Sequence, residues 1–143
     1  MLIFLDFDGV LRRKGSPLYR LEAPLVAQFE KALCAIPGAQ VVITSSWREA
    51  FSLAEMRKSF SPDIAERIIG ATPVSQSRDG FYRHQEVLAY LKRHGLAERE
   101  WIAIDDDPEH YPANSPVLLV DPAQGFDSDA AVRLLKAAKA SKP

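Results

Sequence analysis

Short apolar runs alternate with stretches of helical spacing along the whole chain, and that order predicts a doubly wound α/β domain: a Rossmann-like three-layer sandwich around a mainly parallel five-stranded sheet. The opening run, Met1-Leu2-Ile3-Phe4-Leu5, is apolar without alternation. Such a run reads as a strand buried on both faces, as in parallel sheets covered by helices. A turn-rich basic loop over Leu11–Tyr19 follows, then a helix over about Ala23–Leu33, a Pro37-Gly38 connection and a second strand over Gln40–Thr44. Ser45 or Ser46 caps a predicted helix from Trp47 to Phe60, which Ser61-Pro62 breaks. Arg67–Gly70 reads as a short third strand, and a polar stretch from Thr72 to Gly80 leads to a helix over Arg83–His94, stopped by Gly95. Glu100–Ile104 and Val117–Val120 make the fourth and fifth strands. A last helix over Asp129–Ala140 ends in the basic tail Lys139, Ser141, Lys142. No internal repeat or low-complexity tract interrupts the pattern.

Three of the predicted strands end in polar groups. Asp6 and Asp8 close the first, Thr44 and Ser45 the second, Asp105 and Asp106 the fourth. If the strands are parallel these ends share one sheet edge, the edge where open α/β sheets bind ligands. Two acids one residue apart repel, and a divalent cation, a basic neighbour or a shared proton relieves the repulsion. Arg83 adds a cation at the start of a helix leading back to the acidic fourth strand.

Composition narrows the classes. A chain of 143 residues suits one domain, 1–143, with a core that needs neither disulfides nor structural metal. A net charge of −1 argues against a strongly basic nucleic-acid binder while leaving room for a local basic patch. The single cysteine, Cys34, makes no internal bridge and no zinc cluster, so a cytoplasmic protein is expected, and its place in an apolar helix reads as core. The short N-terminal apolar stretch supports neither secretion nor membrane insertion. His84, His94 and His110 lack a metal-ligand spacing and read as surface or helix-end groups. Asp107 and Glu109 either order the acidic loop or face water.

The series Asp6-Phe7-Asp8-Gly9-Val10, Val41-Val42-Ile43-Thr44, a basic residue, and Ile102-Ala103-Ile104-Asp105-Asp106 resembles the haloacid dehalogenase-like hydrolase superfamily across nearly the whole chain. The resemblance implies a magnesium-dependent phosphatase. Asp6 would be a nucleophile that forms an aspartyl-phosphate, and Asp8 a general acid and base. Thr44 would bind the phosphoryl group, with Ser45 as the fallback. Arg83 would supply the neutralising cation, where most members carry Lys, and Lys92 and Arg78 remain candidates. Magnesium would be held among Asp6, Asp8, Asp106 and Asp105, with Asp106 the closer match to a direct ligand. The rival reading is a phosphate-binding or regulatory module that keeps the fold without turnover.

The intervals between motifs are consumed by the predicted elements and leave no room for a cap domain. An open site encloses a small ligand poorly, so a phosphate carried on a large body, a nucleic-acid end or a protein, is favoured as substrate. Trp47 and Arg48, beside the proposed phosphate hydroxyl, offer stacking on a base or a grip on a second phosphate; a core Trp with Arg paired to an acid is the alternative. With Ile69-Gly70-Ala71-Thr72-Pro73 and the spacing from Arg83 to Glu86, this tract is similar to the small capless branch found in multidomain RNA-repair proteins. Arg12, Arg13 and Lys14 offer contacts to a polyanion or form a solvated basic loop.

Overall fold

The structure, a computed structural model, describes residues 1–140. Ser141 and Lys142 of the basic tail lie outside the described residues. Five strands, β1 (Leu2–Leu5), β2 (Gln40–Ile43), β3 (Ile68–Ala71), β4 (Trp101–Asp105) and β5 (Val117–Leu119), form one sheet in the order β3-β2-β1-β4-β5. Every neighbouring pair is parallel. The helices are α1 (Ala23–Cys34), α2 (Leu53–Arg57), α3 (Pro62–Ala65), α4 (Tyr82–Arg93) and α5 (Ser128–Ala140).

The unbroken apolar run at the N-terminus becomes the central strand. Ile3 and Leu5 of β1 point into a core shared with Phe29 and Leu33 of α1, Met56 of α2, Ile64 of α3 and Leu134 of α5. Leu2 and Phe4 point to the opposite face, against Val87, Tyr90 and Leu91 of α4. The chain runs outward from β1 to β2 and β3, then returns over the other face through α4 to β4 beside β1. Reversing direction while keeping right-handed crossovers puts the returning helix on the opposite face. The reversal makes the gap between the ends of β1 and β4 the topological switch point, where ligands bind in such sheets.

Neither the interval after the first acidic motif nor the one leading to Arg83 holds a cap domain. The loop between β1 and α1 and the stretch between β3 and α4 carry no further helix or strand.

Two expectations are corrected. The single helix over Trp47–Phe60 is instead a 3-10 turn, Ser46–Glu49, followed by the separate α2. Ser52 starts α2 with a reciprocal capping box, its hydroxyl accepting from the Glu55 N–H while Glu55 returns to the Ser52 N–H. Pro62 then opens α3 rather than only ending a helix, in the first-turn position where its missing N–H costs nothing. Cys34 is exposed, because the buried stripe of α1 runs through Leu25, Val26, Phe29, Ala32 and Leu33 and leaves the last residue outside it.

Candidate active site

Strand register assembles the site. Leu5 pairs with Ile43 and with Ile104, and Ile43 pairs with Ala71, so the next residues, Asp6, Thr44, Asp105 and Thr72, form one row across four strand ends. Backbone bonds continue into the row: Asp6 N–H to Ile104 O at 3.1 Å, Thr44 N–H to Leu5 O at 2.9 Å and Thr72 N–H to Ile43 O at 3.0 Å. Leu5, Ile43 and Ile104 face the α1 core, so strand alternation turns the row towards α4. All four side chains are buried, as are Arg83 and Glu86 of α4.

The acids are crowded. Oxygens of Asp6, Asp105 and Asp106 lie within 4.8 Å of one another. Burial, reinforced by Asp105, pushes the Asp6 carboxyl well above the usual carboxylate range, against the opposing charge of Arg83. Its Oδ1 accepts the Phe7 N–H at 2.9 Å. Burial and then Asp105 raise Asp106 to about 6. Asp105 is fixed from two sides, Oδ1 accepting the Asp107 N–H and Oδ2 facing His110 Nδ1, each at 2.9 Å. Burial works against a charged His110 ring, but the contacts with Asp105 and Asp107 outweigh it and raise its pKa. Gly9 allows the closeness of the first loop to Asp106. It has φ of +81°, and a Cβ there would collide with the Asp106 carboxylate. Three clustered carboxylates are a hard-oxygen donor set that could hold a divalent metal ion.

Asp8 stands outside that cluster. Its Oδ1 lies 3.1 Å from Arg12 Nε and accepts the Trp47 indole N–H at 3.2 Å, and its side chain is 44% exposed. A cleft of about 310 Å³ opens beside it, lined by Asp8, Gly9, Arg12, Lys14, Asp106 and Pro122 among others. Of the basic loop, Arg12 is spent on Asp8 and Arg13 on Glu22, leaving Lys14 on the wall of the cleft.

Thr44 and Ser45 differ in what their hydroxyls already do. Ser45 Oγ accepts the Trp47 N–H at 3.2 Å and caps the 3-10 turn, whereas Thr44 Oγ1 is buried without a protein partner. The three basic candidates separate as well. Arg83 is buried beside Asp6 and pairs with Glu86 at 2.9 Å. Arg78 is exposed and paired to Glu49 at 2.8 Å. Lys92 is exposed nine residues along α4, roughly 13 Å away at ~1.5 Å per residue.

Trp47 and Arg48 are placed otherwise than a substrate grip needs. Trp47 is buried against Phe7, with ring centroids 5.1 Å apart. Arg48 is buried too, its guanidinium donating to the carbonyls of Thr44, Ser45 and Thr72 and pairing with Glu86 at 2.8 Å. Neither presents a free face to a base or a second phosphate, so the alternative of a core Trp with a paired Arg describes them.

Sequence reasoning missed three contributors. His110 is half-buried on Asp105 rather than a surface group; its place in the same loop, five residues on, was the available signal. Tyr111 carries a buried hydroxyl without a protein partner, and burial followed by the charges of Asp105 and Asp6 pushes its pKa up. Thr72 closes the row with a second unpartnered hydroxyl, which only the β2–β3 register reveals.

A parallel sheet with a 3-2-1-4-5 order, an acid at the end of its central strand and an acid pair on the neighbouring strand define a haloacid dehalogenase-like domain. Residues 2–131 match the family described as the HAD domain in Swiss Army Knife RNA repair proteins, and the chain belongs to that family. No curated protein and no solved structure matches the chain closely enough to serve as a relative. Among the described residues no helix is long and apolar enough to cross a membrane.

Proposed function

We infer that the protein is a magnesium-dependent phosphomonoesterase that works through an aspartyl-phosphate on Asp6 and acts on phosphorylated nucleic-acid ends. The observation that carries the reading is the row at the sheet edge: a buried acid on the central strand with an acid cluster on one side, a free hydroxyl on the other and Arg83 beside it.

Asp6 attacks phosphorus as the bond to the leaving oxygen breaks, and Asp8 gives that oxygen its proton. Water then attacks the aspartyl-phosphate and gives a proton to Asp8, the bond from phosphorus to the Asp6 oxygen breaks, and phosphate leaves with Asp6 and Asp8 restored. The position of Asp8 outside the acid cluster and open to solvent supports its role as proton carrier. Thr44 Oγ1 and the Arg83 guanidinium hold the phosphoryl oxygens, and Ser45 serves the turn behind them. Asp6, Asp106 and Asp105 would hold the magnesium ion, with Asp105 itself held in place by the Asp107 N–H and His110. When bound, the ion supplies the positive charge that lets a phosphate dianion lie against a carboxylate.

The family's place in RNA repair proteins and the lack of a cap favour a substrate whose bulk stays outside the site. Purified protein with magnesium, offered 3′- and 5′-phosphorylated RNA and DNA ends beside free nucleotides and sugar phosphates, is expected to release phosphate from the ends. Hydrolysis of free metabolites alone would reject the nucleic-acid assignment, and binding without turnover across the whole panel would favour the regulatory module.

A further inference from the structure

Glu86 is a buried acid for which the reaction just described has no use. Its two oxygens face different guanidinium groups: Oε1 lies 2.9 Å from Arg83 Nη1 and Oε2 lies 2.8 Å from Arg48 Nη2. Oε2 also accepts the Ser75 N–H at 2.8 Å, which ties in the stretch after β3. Arg48 then reaches the backbone of the site, donating to Thr44 O at 2.8 Å, Ser45 O at 2.9 Å and Thr72 O at 2.9 Å. Two buried arginines repel each other, and a single carboxylate between them removes that repulsion while fixing their separation. The two groups tethered this way each keep a buried polar atom without a protein partner, Nε of Arg83 and Oγ1 of Thr44. A network whose outer members are satisfied and whose inner atoms are not is built to receive a ligand.

We propose that Glu86 is a positioning residue: it locks Arg83 beside Asp6 and, through Arg48, holds Thr44 at the end of β2, so that cation and hydroxyl meet the phosphoryl group without rearrangement. The inference rests on the phosphatase reading and adds the part of the machinery that never touches substrate. Preorganisation of this kind is felt in turnover more than in binding, because a long arginine free to leave its place must be recaptured at every cycle.

A double-mutant cycle between Glu86→Gln and Arg83→Ala tests it. Glu86→Gln alone is expected to lower kcat on the order of 10²-fold with a smaller change in KM. In the Arg83→Ala background the same substitution should cost markedly less, because the part of its effect that runs through Arg83 is already lost and only the arm through Arg48 and Thr44 remains. Equal losses in both backgrounds would overturn the proposal, since a purely structural role has no reason to depend on Arg83. If Glu86→Gln melts early, Glu86→Asp replaces it; the charge stays but the shorter side chain fails to span both guanidinium groups, and the same coupling is expected. The cycle is also scored on the affinity for inorganic phosphate. A wild-type protein that hydrolyses nothing but binds phosphate rejects the phosphatase reading while the coupling still decides the role of Glu86; one that does neither rejects both.

Discussion

The two faces of the sheet are built on opposite principles. On the α1 side Ile3, Leu5, Val41 and Ile43 meet Phe29, Leu33, Phe126 and Leu134, all buried and all apolar. On the α4 side the same strands begin apolar, Leu2, Phe4, Val42 and Ala103 against Val87, Tyr90 and Leu91, and then become polar at their carboxyl ends. One face contributes stability along its length. The other gives some of it up, because the buried charges of Asp6, Asp105, Arg83 and Glu86 cost desolvation that their pairing only partly repays. The α4 helix spans both regimes, its buried stripe of Arg83, Glu86, Val87, Tyr90 and Leu91 changing from charged to apolar within two turns.

Substitutions on the two faces should therefore move activity and stability in different directions. Asp6→Asn is expected to reduce phosphate release to background while raising the melting temperature of the metal-free protein at neutral pH, since it removes a buried charge that the fold disfavours. A loss of stability on that substitution would mean the acid is not under strain. Phe29→Ala, on the apolar face, should cost about 3–5 kcal/mol in a denaturant titration, with the activity of the remaining folded fraction unchanged.

The pH dependence follows from the direction of the shifts. Asp6 and Asp106 both have folded pKa values above their unfolded ones, Asp106 at about 6 against an ordinary 3.8. The folded state thus holds more protons than the unfolded state over that interval, and stability falls as pH rises. Melting temperature in chelator should drop between pH 4 and pH 7, and magnesium should restore more of it at pH 7.5 than at pH 5, where protons compete for the same oxygens. A magnesium effect independent of pH would place the ion elsewhere. The smallest effect is expected at Lys92→Ala, exposed at the far end of α4, which should leave kcat within about twofold. A large loss there would return the choice of catalytic cation to the alternatives.

The strands and the acids at their ends were legible because each reflects a local rule: an unbroken apolar run is buried on both faces, and a carboxylate that follows it ends the run at the sheet edge. The helix expected over Trp47–Phe60 failed because its interruption is tertiary. Arg48 is drawn to the carbonyls of Thr44 and Ser45 just after β2 and to the stretch after β3, and Ser52 restarts the helix with its own cap. Glu86 was visible only as a spacing from Arg83, since a charged residue on a helical stripe reads as solvent-facing until a buried partner is found for it. That Ser45 Oγ is engaged by the turn while Thr44 Oγ1 keeps no protein partner was likewise not legible, because it depends on which hydroxyl the folded backbone meets.

The central claim, that Asp6 carries the phosphoryl group, is tested most directly by trapping the acyl-phosphate. Protein turning over a phosphorylated RNA end with magnesium is quenched into borohydride, which reduces an aspartyl-phosphate to homoserine, and the N-terminal peptide is weighed by mass spectrometry. Homoserine is expected at position 6, dependent on substrate and missing when Asp6→Asn removes the acceptor. Sustained phosphate release with Asp6 unmodified, or the same mass change at another acid, would contradict it.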